Sequence, residues 1–152
     1  MDLSSKKTAI VVITTALWLI ITYLGWNNVY LVSMYLGVVL MLLYMMLGVA
    51  KQGKLSKKLL YFSLIPWAIV WVVSFYLADY YAALFAGVMP SFTVLGFHPS
   101  FAATVVGYWI GGMLTLTAMY MTFKDEWLSQ KDWDDFLKKV QEIKESEKGG
   151  AH

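Results

Sequence analysis

Four long apolar runs, with every lysine before 124 confined to alternate gaps between them, constrain this chain more than any other feature. The runs are TAIVVITTALWLIITYLG (8–25), VYLVSMYLGVVLMLLYMMLGVA (29–50), LLYFSLIPWAIVWVVSFYLA (59–78) and FAATVVGYWIGGMLTLTAMYMTF (101–123). A helix that crosses the hydrocarbon core of a bilayer needs about 20 such residues. Four of them in 152 residues leave too little polar surface for a soluble fold. Only 14% of the chain is charged, against about 25% in soluble domains. The expectation is an all-α membrane protein with four transmembrane helices within residues 1–123, followed by a separate tail at 124–152.

The lysines predict the orientation. All twelve basic residues are lysines. Lys6 and Lys7 precede the first run, Lys51, Lys54, Lys57 and Lys58 lie between the second and third, and Lys124 follows the fourth. The other two connections, Trp26–Asn28 and 79–100, carry none. By the positive-inside rule the lysine-bearing side is cytoplasmic, so both termini are expected inside, as in a multi-pass protein of the plasma (inner) membrane. Lys6 and Lys7 also resemble the start of a signal peptide, but the run after them is longer than a signal core and no small-residue cleavage pattern follows, so a retained span is expected. Aromatic residues (Trp18, Tyr23, Trp26 and Tyr30, then Trp67, Trp71, Tyr76, Tyr80 and Tyr81) read as interfacial belts, with a deeper position as the alternative for Trp67 and Trp71. Pro66 is expected to disturb the third helix, because proline removes a backbone donor.

The stretch MPSFTVLGFHPSF (89–101) has two prolines, three phenylalanines and no charge besides its single histidine, His98. It is too apolar for a solvated loop and too broken for a span. We expect an apolar extracytoplasmic connection, with YYAALFAGV (80–88) as a short interfacial or re-entrant helix and Ser100 as the N-cap of the fourth span. Asp79 is the only carboxylate between Asp2 and Asp125. Asp79 and His98 are the candidates for an ion or proton pathway; alternatively Asp79 ends the third span among headgroups and His98 bonds a loop carbonyl.

Other chemistry is poorly served. The chain has no cysteine and two histidines, too few for a bis-histidine haem within one span bundle or for a zinc site, so no metal or cofactor is expected. Neither HExxH, GxSxG nor a phosphate loop is present, and no residue is nominated as catalytic, so no enzyme is expected. A net charge of +2, spread along the chain, gives no reason to expect nucleic acid as a partner.

Two patterns point to helix partners instead. Ala103, Gly107, Gly111 and Thr115 recur every four residues, a small-residue stripe that lets backbones approach. Its expected partner is the second span of the same chain, which carries Ser33 and Gly37, or another chain. In the tail, Ser129 and Asp132 form a capping-box-like start, and Trp133, Phe136, Leu137, Val140 and Ile143 share one helical face. From residue 124 on there are six lysines and eight acidic residues, the wrong sign for adhesion to an anionic leaflet. This amphipathic cytoplasmic helix is expected to dock on protein through Trp133, Phe136, Leu137 and Val140, on the chain's own helix ends or on a partner; the alternative is to lie in the membrane interface through Trp127 and Trp133. The end, ESEKGGAH (145–152), is expected to fray.

Residues 59–123, with the loop GVMPSFTVLGFHPSF, the motif Gly96-Phe97-His98-Pro99 and the following YWIGGMLTLTAMY, resemble the small companion subunits of sodium:solute symporters. The two additional N-terminal spans and the tail depart from that pattern. The resemblance implies an accessory subunit paired with a large permease of organic anions or similar solutes, with no solute site of its own. Two further expectations stand beside it. One is a homo-oligomeric channel or ion-coupled carrier using Asp79 and His98. The other is a membrane assembly factor or sensor acting through its C-terminal helix.

Overall fold

A computed structural model describes residues 2–51 and 53–149. Among them the protein is all-helical, with four helices long and apolar enough to span a membrane. These are α1 (Lys7–Trp26), α2 (Tyr30–Gly48), α3 (Lys57–Leu84) and α4 (Pro99–Thr122). A single turn, α5 (Lys124–Trp127), and a long helix, α6 (Gln130–Gly149), follow. The end expected to fray is thus helical as far as Gly149, and residues 150–152 lie outside the described ones.

The turn between α1 and α2 closes because Asn28 takes a left-handed conformation, φ 60°, which asparagine adopts more readily than most residues. The next connection is a tight knot. Lys51 and Lys54 exchange backbone hydrogen bonds of 3.0 and 2.8 Å around Gly53, whose φ is +81°. The Leu3 amide donates to the Gly53 carbonyl at 2.6 Å. That bond draws the N-terminal segment across the loop and buries Leu3 with Ile10 and Leu55.

α3 is longer than expected. It continues through residues 80–84, which were read as part of a separate interfacial helix, and stops at Leu84. Asp79 therefore does not end the helix. It lies 22 residues beyond Lys57, a rise of roughly 33 Å, about the thickness of the hydrocarbon core. Near its start, α3 widens into a π-helical turn, Leu60–Leu64, where the Ile65 amide donates to the Leu60 carbonyl five residues back. Pro66 follows at once, so the disturbance that proline imposes is absorbed by the wider turn.

Residues 85–98 return to α4 with positive φ at Gly87, Leu95 and Gly96. Val94 and Phe97 exchange backbone hydrogen bonds of 3.1 and 2.9 Å across the turn Leu95-Gly96, with both central residues at positive φ as a type I′ turn requires. Leu95 at its tip is 76% exposed. The cap of α4 is His98, not Ser100: the His98 Nδ1 accepts from the Ser100 amide at 3.3 Å, and Pro99 occupies the first helical position. Proline needs no partner there, which is why the cap falls before it.

The extensive contacts run in chain order: α1 on α2, α2 on α3, and α3 on α4. The four helices form an open antiparallel row rather than a closed bundle, and α3 carries the largest buried share.

Candidate functional site

The seam between α3 and α4 is the closest helix contact, and its cause is readable residue by residue. A Cβ added to Gly107 would land on Ser74 Oγ and lie 2.9 Å from Ser74 Cβ. At Gly111 it would meet Val70 Cγ1 at 2.6 Å, and at Gly112 the indole nitrogen of Trp71 at 2.8 Å. Further along, Ser63 donates to the Thr115 carbonyl at 2.8 Å, while Ala103 lines a groove with Val70, Ser74 and Leu77. All four stripe residues thus lie along α3. The expected pairing with α2 is corrected: Ser33 is buried but bonds its own helix, and Gly37 has nothing near it. The missed signal was the reciprocal one, small Ser63 and Ser74 on α3. Much of α4 is π-helical (Ala103–Gly111 and Met113–Ala118).

On one side of this seam Trp67, Trp71 and Phe75 form a ladder along α3, joined by Tyr108 of α4. Trp67 and Trp71 have ring centroids 4.4 Å apart, and Trp71 and Tyr108 4.1 Å. These two tryptophans are packed within the helix row. They sit ten and fourteen residues into α3, roughly 15–21 Å along its axis, and Trp67 is 0% exposed. Both indole N–H groups and the Tyr120 hydroxyl are buried without a hydrogen-bond partner among the described residues. Aromatic packing, not hydrogen bonding, therefore holds the ladder.

Asp79 and His98 are not brought into one site. Asp79 lines a cleft of about 170 Å³ with Tyr30, Leu31, Met34, Phe75, Ala78 and Thr104. His98 caps α4, and its ring meets Phe85 edge-on at 5.8 Å. With Nδ1 engaged by the Ser100 amide, that imidazole acts as a helix cap.

At the lysine-bearing end, two ion pairs bind the C-terminal segment to the loop between α2 and α3. Lys51 Nζ lies 2.5 Å from Asp132 and Lys58 Nζ 3.0 Å from Glu126, while Ser56 donates to Glu126 at 2.9 Å. Asp132 also accepts from the Ser129 amide at 2.8 Å and from its hydroxyl at 2.6 Å, the capping arrangement expected from the sequence. Trp127 completes the clamp by donating to the Tyr120 carbonyl at 3.1 Å. Beyond it, Trp133, Phe136, Leu137 and Ile143 are exposed and Val140 is half-buried.

The ammonium of Lys51, then the hydroxyl and amide of Ser129, hold the Asp132 carboxyl well below the ordinary aspartate value of 3.8. Lys58 and Ser56 likewise lower Glu126 from 4.5. A depressed folded pKa stabilises the clamp fully above the ordinary value, and that contribution disappears as pH falls through the folded one. The clamp is therefore expected to hold unchanged from neutrality down to pH 4.5, the ordinary value of Glu126, and to weaken only below it, as Glu126 and then Asp132 lose their contributions. Amide exchange at Ser129 and Trp133 measured against pH checks this; opening between pH 5 and 7 would contradict it.

No family model matches the chain, and neither a curated protein nor a solved structure matches it.

Proposed function

We propose that this protein is a small multi-pass accessory subunit of a larger solute transporter, contributing packing, stability or regulation and no catalysis. The observation that carries the reading is the open row. α1 and α4 each have a helix on one flank and leave long apolar faces, including Val12, Leu19, Trp109, Met113 and Met121, without one. In lipid such faces are available to further spans, because helix association there depends on close packing rather than on escape from water. The second support is the clamp. It anchors the base of α6 to the helix ends while Trp133, Phe136 and Leu137 stay exposed to a protein partner.

In this reading Lys51–Lys58, both termini and α6 face the cytoplasm, the loop 85–98 faces outward, and the membrane is the plasma (inner) membrane. The lysine asymmetry supports that sidedness. The partner is a larger permease, with further copies of this chain as the other possibility.

The test is purification of the tagged full chain from its native membrane in mild detergent. A large multi-span permease is expected to co-purify, and removing residues 130–152 is expected to release it while the four spans still insert. Recovery as a monomer without a membrane partner would sink the reading. Solute flux in liposomes from this protein alone, abolished in Asp79→Asn, would replace it with the carrier.

A further inference from the structure

We propose that the cleft around Asp79 is a binding site for a small organic ammonium ion. The argument starts from charge. Between Lys58 and Lys124 the chain has no lysine or arginine, so Asp79 is a carboxylate on an end of the molecule without a basic side chain other than His98. His98 is engaged as a helix cap, and Asp79 forms no ion pair with a described residue. A carboxylate near the hydrocarbon boundary gains from a counter-ion that water alone would not hold there.

The walls of the cleft decide which cation. Tyr30, Met34 and Phe75 supply two aromatic rings and a thioether, and Thr104 a single hydroxyl. Tyr30 is held in place from its far end, its hydroxyl donating to Asn28 at 2.5 Å. A sodium or calcium ion requires a shell of oxygen ligands, which these walls lack. An alkylated ammonium, by contrast, loses little hydration and is attracted by ring faces and by one carboxylate together. The volume of about 170 Å³ suits a cation of a few carbon atoms. Three helices contribute: Tyr30 and Met34 come from α2, Phe75 and Asp79 from α3, and Thr104 from α4. Occupation would therefore tie the row together at its outer end.

Tetramethylammonium is the probe, added to the purified full chain in nanodiscs and followed by saturation-transfer NMR on its methyl protons. Saturable binding is expected, weakened roughly tenfold in Asp79→Asn and retained in Asp79→Glu. Tyr30→Leu and Phe75→Leu are each expected to weaken it about threefold or more, while Tyr30→Phe keeps it. These aromatic variants decide the matter if Asp79→Asn alters the helical circular dichroism. The absence of saturable binding overturns the proposal. So does equal displacement by sodium or by tert-butyl alcohol, the neutral molecule of similar shape, or an unchanged affinity in a folded Asp79→Asn.

Discussion

Gly107→Leu is expected to destabilise the helical row by about 3 kcal/mol and to part α3 from α4. The reason is the geometry at Ser74. A Cβ at position 107 collides with Ser74 Oγ and approaches Ser74 Cβ to 2.9 Å and Cα to 3.7 Å. Rotation of the hydroxyl cannot relieve the contact with Cβ, so the helix axes must separate. The hydroxyl is also committed, donating to the Val70 carbonyl at 2.6 Å. Even Gly107→Ala should cost about 1 kcal/mol, and Ser74→Gly in the same chain should recover most of it, a coupling that a double-mutant cycle isolates. Gly37→Leu is the control. Nothing lies within 4 Å of a Cβ there, so its effect should stay within about 0.5 kcal/mol. Unfolding in mixed micelles of increasing SDS content, followed by circular dichroism, measures all four. Equal losses at positions 107 and 37 would remove the seam from the account of stability.

That control also marks how far the sequence could be read. Span number followed from hydrophobic length alone, because the bilayer fixes a length and leaves no other use for four such runs. The stripe Ala103, Gly107, Gly111 and Thr115 was equally legible, since small residues at regular spacing signal a close contact whatever they meet. The identity of the partner helix was not legible. Gly37 and Ser74 look alike as small residues in apolar helices, and only the antiparallel pairing of 107 with 74 and 111 with 70 separates them. The end of α3 was misread for a local reason: Asp79, Tyr80 and Tyr81 have the composition of a boundary. The helical backbone nonetheless runs on to Leu84. The role of His98 as a cap was not legible from its type, which suggests proton chemistry; its position before Pro99 makes it the cap of α4. The ion pairs of Lys51 and Lys58 span 81 residues, Lys51 to Asp132, and 68 residues, Lys58 to Glu126, and no local pattern reports such a pairing.

Trp67→Ala should produce a loss of comparable size by the opposite route, a void instead of a clash. In water, truncating a buried tryptophan costs about 3–5 kcal/mol, part of it lost transfer from solvent and part the cavity left behind. Lipid tails are as apolar as the protein interior, so in the bilayer the first part falls away and the lost packing remains, about 2 kcal/mol or more. Trp67 is fully buried, lies against Trp71 at 4.4 Å, and stands next to Gly112, whose missing side chain makes room for the indoles. Its N–H has no acceptor among the described residues, so Trp67→Phe removes no hydrogen bond and should lose under about 1.5 kcal/mol. Trp109, on the exposed side of α4, should tolerate alanine within about 0.5 kcal/mol. The same micelle titration ranks the three. A Trp67→Ala variant no less stable than Trp109→Ala would mean that the aromatic ladder does not hold α3 to α4, and the small-residue stripe would have to do so alone.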